Sequence, residues 1–242
     1  MCLAVVAWNA AARYPLLLAA NRDERHGRPT APAAWWQDLP SVLGGRDLEA
    51  HGSWLAIDRR GRIAAVTNIR DPVPRAASRS RGALVADFVA GSGSPAEFDA
   101  AIGPHAQEYG PFNLLLFDGR ELGYSSNRAP AAHLMPGVHA LSNAAPSADW
   151  PKLRTARAGM EAVLNDPAPA DALFELLARR SAAPAADQYR SAHFIEGPVY
   201  GTRSSTVITI DAAGSATFAE RSFDSAANLT AEARETFRIA AR

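Results

Sequence analysis

The order of apolar segments along the chain constrains its fold more than any other feature. Short strand-like runs come in pairs joined by turns, and the helical segments also come in pairs rather than one after each strand. A doubly wound parallel sheet needs a helix between successive strands, so this order argues against that fold. The order favours an α+β protein in which two antiparallel sheets pack face to face with helix pairs outside.

The predicted strands are short apolar runs bounded by turn residues. Residues 2–8 and 15–20 predict a buried hairpin at the start of the chain. The polar residues that follow it, and the segment that contains Trp35 and Trp36, predict surface loops, and residues 231–240 suit either a helix or a strand. Further strands are predicted at residues 54–58, 62–68, 112–118, 121–126, 133–135, 138–142, 204–211 and 215–220.

The predicted helices form two pairs. The first pair consists of residues 82–90 and a helix that begins after Ser94, where Ser94 and Glu97 have the spacing of a capping box. The second pair covers residues 150–164 and 170–180. Each pair follows a group of strands, which supports sheets covered by helices on one face.

Composition argues against several kinds of partner and cofactor. Lys plus Arg and Asp plus Glu each number 25, and a neutral chain gives no reason to expect nucleic-acid or membrane-surface binding. A single cysteine excludes an internal disulfide and a cysteine-based zinc site, and the six histidines lack ligand spacing, so we expect no cofactor. Without a transmembrane segment or a signal peptide, we expect a cytoplasmic protein in which residues 1–242 form one domain.

The only cysteine is residue 2, directly after the initiator methionine. If Met1 is removed, Cys2 carries both a thiol and the α-amine of the chain, and an α-amine that titrates near neutral pH can serve as the base for that thiol. A small buried residue at the start of a strand is the alternative, and it is the better interpretation of the cysteine taken alone.

Polar residues stand at the ends of several predicted strands. Each has an ordinary interpretation, because asparagine suits turns and neighbouring Arg and Asp usually form exposed pairs. Taken together with Cys2, they suit acyl transfer in a site built where strands end. The residues concerned are Asn21, Arg22, Asp23, Glu24, Asn68, Asn143 and Arg203.

A set of motifs resembles the NRDE family, whose eukaryotic member is named for transport and Golgi organisation. The family is similar to the N-terminal-nucleophile hydrolases, in particular the choloylglycine hydrolases and penicillin V acylases. The resemblance implies a four-layer αββα sandwich. The motifs are Met1-Cys2, Asn21-Arg22-Asp23-Glu24, Gly52-Ser53-Trp54-Leu55, Ser142-Asn143, Trp150-Pro151-Lys152 and Tyr200-Gly201-Thr202-Arg203.

The resemblance also implies roles for the residues at the start of the chain. Cys2 would be the nucleophile, its α-amine the base, and Arg22 would favour the thiolate through its opposite charge. Asp23 would hold the α-amine. The hydrolases separate their arginine and aspartate, whereas here they are adjacent, so Glu24 could take the role of Asp23 instead.

Three residues further along the chain complete the implied site. Asn68 and Asn143 would donate hydrogen bonds to the oxyanion that forms when the thiolate attacks a carbonyl. Arg203 would support the nucleophile or balance the charge of the site. The first hypothesis is therefore a cysteine amidohydrolase that acts on a small acylated amide without a metal.

Two other functions remain open at this point. A binding or trafficking protein could hold haem, with Cys2 as axial ligand, or a hydrophobic ligand such as an acyl lipid. An apolar cleft for this purpose could be lined by Trp35, Trp36, Phe112 and Tyr124, although core packing is the better interpretation of each aromatic residue taken alone. A scaffold that binds a partner through Arg70, Arg75, Arg79 and Arg81 is the third hypothesis, and its weakness is that loop arginines are usually only solvated.

Overall fold

The computed structural model describes residues 2–70 and 77–240, in which the elements follow the predicted order of strands, helices, strands, helices and strands. The described helices are α1 (Arg81–Ala90), α2 (Pro95–Ile102), α3 (Pro151–Ala162), α4 (Pro169–Leu177) and α5 (Gln188–Ser191), with 3-10 turns at Gly103–Glu108 and Ala185–Asp187. The described strands are β1 (Leu3–Trp8), β2 (Leu16–Arg25), β3 (Thr30–Trp35), β4 (Val42–Asp47), β5 (Leu55–Asp58), β6 (Ile63–Asn68), β7 (Phe112–Phe117), β8 (Leu122–Ser126), β9 (Ala132–Leu134), β10 (Gly137–Leu141), β11 (Tyr200–Ile210), β12 (Ser215–Phe223) and β13 (Leu229–Arg238).

The chain divides into two compact units, each of which contains one sheet and its own helices. The first unit consists of Met1–Gly27, Pro136–Ser142 and Ser147–Arg238. The second unit consists of Arg28–Met135, Asn143–Pro146 and Ile239–Arg242.

The first unit is an antiparallel sheet of six strands in the order β10-β1-β2-β11-β12-β13. Alternate residues of β1, namely Leu3, Val5 and Ala7, belong to one buried cluster with Leu153 of α3 and Leu173 of α4. Side chains in a strand point to opposite faces in turn, so this cluster identifies the face of the sheet that the helices cover. Burial of these apolar side chains fixes the register of β1, because a shift by one residue would turn them to the other face.

The second unit is an antiparallel meander of seven strands, β3 to β9, in sequence order. Helix α1 packs against β4, β5 and β6, and Leu84 and Phe88 of α1 lie in a buried cluster with Val42, Ala56 and Leu114 of the sheet. The Ser94 hydroxyl accepts a hydrogen bond from the Glu97 amide, and the Glu97 carboxylate accepts one from the Ser94 amide. The capping box predicted for α2 is therefore confirmed.

The prediction of an α+β fold with two antiparallel sheets is confirmed, but three segments differ from expectation. The polar tetrapeptide that begins at Asn21 lies inside β2 rather than after it, because β11 pairs with it along its whole length. The predicted loop that contains Trp35 forms β3 and is followed by β4. The ambiguous tail is strand β13, which pairs with β12.

Candidate active site

The register of β1, β2 and β11 places Cys2 beside Arg22. Leu3 pairs with Asn21, so the residue before Leu3 lies opposite Arg22 by the same antiparallel register. On its other side, Arg22 pairs with Ser204 of β11. The Arg22 side chain is buried, with 5 % of its surface exposed. The nucleophile and the arginine predicted from the sequence therefore lie next to each other across two strands.

Adjacent residues of β2 serve different faces of the sheet. The Asn21 amide nitrogen donates to the carbonyl oxygens of Leu177 and His193, both at 2.8 Å, which places Asn21 on the helix-covered face. Arg22 points to the other face and Asp23 returns to the first one, because side chains alternate along a strand. Although Arg22 and Asp23 are adjacent in sequence, their side chains therefore lie on opposite faces of the sheet.

Asp23 is the buried carboxylate of the tetrapeptide. One of its oxygens accepts a hydrogen bond of 2.6 Å from the Thr202 hydroxyl. Burial raises the pKa of Asp23, while the positive charge of Lys152 acts in the opposite direction. Glu24 is partly exposed, and its carboxylate accepts a 2.8 Å hydrogen bond from the Arg25 amide. The geometry therefore favours Asp23 over Glu24 as the carboxylate of the site.

Lys152 is a functional candidate that sequence reasoning noted only as part of a motif. It lies in the first turn of α3 and is fully buried, and its Nζ atom has no hydrogen-bond partner. Burial lowers the pKa of Lys152, while the negative charges of Asp23 and Cys2 oppose that shift. The signal that could have found it is that Lys152 is the only lysine of the chain.

Two further contacts in the first unit involve predicted site residues. The Ser142 hydroxyl donates a 2.7 Å hydrogen bond to the carbonyl oxygen of Cys2. Cys2 itself is a partly buried residue. Arg203 lies at a bulge where the register between β11 and β2 shifts, and its guanidinium donates to the carbonyl oxygens of Arg25 and His26, both at 3.0 Å. Ser142 holds the Cys2 backbone, and Arg203 holds the end of β2.

Asn68 and Asn143 contact each other in the second unit. The Asn143 amide nitrogen donates to the carbonyl oxygen of Asn68 at 2.5 Å, and the Asn143 carbonyl accepts from the amide of Arg70 at 3.1 Å. Asn143 is buried, whereas Asn68, the last residue of β6, is partly exposed. The structure brings the two asparagines together, and their role as oxyanion donors stays a prediction.

His193 is a buried residue that links α3, α4 and the segment after α5. Its Nδ1 atom lies 2.7 Å from the carbonyl oxygen of Leu176, and its Nε2 atom lies 2.8 Å from the Thr155 hydroxyl. Nε2 also lies 3.1 Å from the carbonyl oxygen of Lys152, so two acceptors face the ring, and the shorter Leu176 contact assigns the hydrogen of the neutral ring to Nδ1, with the Thr155 hydroxyl donating to Nε2. Burial lowers the pKa of His193 below its ordinary value of 6.5. His193 therefore has a structural role as a neutral ring.

The buried ring of His193 predicts a loss of stability in mild acid. Because its pKa is lower in the folded chain than in the unfolded chain, unfolding takes up a proton below pH 6.5, and the stabilisation present above that value is lost as the pH falls. Urea unfolding at pH 7.5 and 5.5 is expected to show a loss of about 1 kcal/mol that His193→Gln reduces. The half-exposed His133, changed to Gln, is the control. An unchanged pH dependence in His193→Gln would contradict the assignment.

The aromatic residues suggested for an apolar cleft are mainly packed or capped within the second unit. Trp36 is buried in the α1 cluster and donates to the Gly44 carbonyl at 2.9 Å. Phe112 is fully buried and the Tyr124 hydroxyl donates to Asn113 at 2.7 Å. The Arg59 guanidinium covers the Trp35 ring at 3.9 Å. Of the four, Phe112 lines a cavity of about 390 Å³, which also has polar walls.

The arginines of the scaffold hypothesis have mixed environments. Arg79 forms a 2.8 Å ion pair with Glu108, and Arg81 donates to the Pro111 carbonyl at 3.2 Å. Arg75 lies outside the described residues.

In residues 2–70 and 77–240, no group of three or more His, Cys, Asp and Glu side chains is arranged to hold a metal ion. Within the same ranges, no helix has the length and apolar character needed to cross a membrane.

The fold is shared with solved structures of an amidase and of a bile acid hydrolase. The Caenorhabditis elegans ortholog of N-acylethanolamine-hydrolyzing acid amidase matches with a TM-score of 0.53 and 11% identity, over 86% of this chain and 92% of that chain. A mutant of the conjugated bile acid hydrolase from Clostridium perfringens matches with a TM-score of 0.53 and 8% identity, over 98% of this chain and 97% of that chain. At these identities the likeness defines the fold alone.

Sequence comparison defines the family. The profile of the Transport and Golgi organisation 2 family matches residues 1–225, and the chain belongs to this family. It is 36% identical over 240 residues to the Transport and Golgi organization protein 2 homolog of Bos taurus, covering 86% of this chain and 87% of that protein. The human homolog is 33% identical over the same coverage. The resemblance stated from the motifs is thereby confirmed.

Proposed function

We propose that this protein is a cysteine amidohydrolase that cleaves a small acylated amide with Cys2 as nucleophile. The observation that carries the proposal is the register that sets Cys2 opposite the buried Arg22. An arginine beside a thiol favours the thiolate, which is the reactive form. The buried Asp23 and Lys152 add further charge around the same strands.

The proposed reaction transfers an acyl group through the thiol. The Cys2 sulfur forms a bond to the amide carbonyl carbon, and the thiol proton passes to a base. That base then gives the proton to the leaving nitrogen as the carbon–nitrogen bond breaks. Water hydrolyses the resulting thioester, which releases the acid and restores the thiol. The α-amine of Cys2 is the proposed base, and it exists only if Met1, which lies outside the described residues, is removed.

The fold neighbours support the choice of an acylated amide. Their names describe one protein that hydrolyses N-acylethanolamines and one that hydrolyses conjugated bile acids. The first name indicates an acyl group joined to a small amine. The names of the family relatives refer to transport and Golgi organisation and indicate no reaction.

The test begins with the intact mass of the native chain, which shows whether Met1 is present. The Met-free protein is then mixed with acyl p-nitroanilides of increasing chain length, and release of nitroaniline is followed at pH 7. We expect turnover together with a transient mass increase equal to one acyl group on Cys2. Absence of both release and adduct across the series would contradict the proposed function.

A further inference from the structure

The position of Lys152 is costly in a way that packing does not explain. A buried ammonium loses its hydration, and Nζ gains no hydrogen bond in return. The Trp150 ring faces the ammonium with its centroid 5.7 Å from Nζ, a contact too weak to replace the lost hydration. A methionine of similar volume would fill the same space without a buried charge. The cost therefore points to a role for the charge itself.

The charged groups around Lys152 come from several elements of the first unit. Asp23 of β2 and Cys2, which precedes β1, are the groups whose negative charge would raise the pKa of Lys152. His193, after α5, lies 3.1 Å from the Lys152 carbonyl oxygen through Nε2 and is disfavoured in its charged form by Lys152. Arg190 of α5 lies over the Trp150 ring at 5.9 Å. The acidic groups around Lys152 are thus the Asp23 carboxyl and the Cys2 thiol.

We propose that Lys152 is a positioning residue whose buried charge favours the thiolate of Cys2 and the carboxylate of Asp23. The inference rests on the proposed function. In addition to Arg22, it names Lys152 as a second cation that favours the thiolate of Cys2, and this cation lies on the helix-covered face of the sheet. Electrostatic interaction between two groups is reciprocal, so a thiolate that stabilises the ammonium is stabilised by it to the same extent. Lys152 acts at a distance, because no hydrogen bond reaches its Nζ atom.

The first test measures the thiol directly. The native chain is alkylated with iodoacetamide between pH 5.5 and 9.5, and the rate is compared for the parent, Lys152→Met, Lys152→Arg and Arg154→Met. We expect Lys152→Met to shift the profile upward by on the order of one pH unit, which lowers the rate at neutral pH about tenfold. Lys152→Arg is expected to retain most of the parent profile. Arg154, exposed on the same helix, is the matched control and is expected to change nothing.

A second measurement needs no change at Lys152. Since Lys152 is the only lysine, labelling with ε-¹³C lysine gives one signal, whose titration reports its pKa. Because the Cys2 charge opposes the lowering of that pKa, Cys2→Ala is expected to lower it further. An unchanged titration in Cys2→Ala, or a folded Lys152→Met with the parent alkylation profile, would overturn the inference. Alkylation needs no amide substrate, so failure of hydrolysis alone would reject the proposed function and leave this inference standing.

Discussion

Replacement of Cys2 by alanine is expected to lower amide hydrolysis by at least about 10³-fold. The variant lacks the sulfur that forms the thioester, and the remaining groups can only polarise the amide or bind it. The measurement is kcat/KM for the acyl p-nitroanilide that the parent cleaves fastest. Adduct formation, followed by intact mass, is expected to disappear in the same variant.

The fold is expected to survive the Cys2→Ala change. The hydrogen bond from Ser142 reaches the Cys2 carbonyl oxygen rather than its thiol, and alanine keeps that oxygen. Urea unfolding should therefore give a free energy within about 1 kcal/mol of the parent. Hydrolysis that stays within tenfold of the parent in a folded Cys2→Ala protein would exclude Cys2 as the nucleophile.

A double-mutant cycle on Asp23 and Lys152 is expected to give the second large effect. Each side chain is buried and each is a counter-charge for the other. Removing one takes a counter-charge away from the other, which stays buried, so Asp23→Asn and Lys152→Met should each cost about 3 kcal/mol. The double variant should lose less than the sum of the two by about 0.5–3 kcal/mol, the range for residues that belong to one charge network.

Urea unfolding of the four proteins at pH 7 measures this coupling. Thr202→Val, which removes the hydroxyl that donates to Asp23 but keeps both charges, provides a reference for loss of one hydrogen bond. Its effect is expected to be similar whether Lys152 is present or changed to methionine. Additive losses for Asp23→Asn and Lys152→Met would mean that the two charges do not interact.

Some elements could be predicted because their signals are local. The hairpin of β11 and β12 follows from alternating apolar residues and from Gly214, whose φ of 79° suits a tight turn that favours glycine. Strands β3 and β4 could not be predicted in the same way, because Gly44 and Gly45 resemble a loop. In the structure, a Cβ on Gly44 would lie 2.6 Å from the Leu55 carbonyl oxygen. That glycine permits close strand packing, which only tertiary structure shows.

In the candidate site too, some features could be predicted from local sequence and others depend on tertiary structure. Cys2 and Arg22 could be identified because they stand in a recognisable motif. The extent of β2 could not, because Asn21 is satisfied by carbonyl oxygens 156 and 172 residues away. The importance of Lys152 was also hidden, since a lysine near a helix start is ordinarily exposed. Its burial depends on how α3 docks on the sheet.

Because Arg22 and Asp23 lie on opposite faces of β2, the site depends on the number of residues that precede them in this strand. Replacing either residue changes one charge in one environment. Inserting or deleting one residue before Arg22, with the pairing to β1 kept, would exchange the two environments, so that the cation faced the helices and the anion faced the opposite side. At Arg203, β11 contains one extra residue as a β-bulge, while the residues of β2 that pair on either side of it, Arg22 and Asp23, are consecutive. At this point of the sheet, β11 therefore accommodates one extra residue as a bulge, whereas an extra residue in β2 would exchange the faces of Arg22 and Asp23.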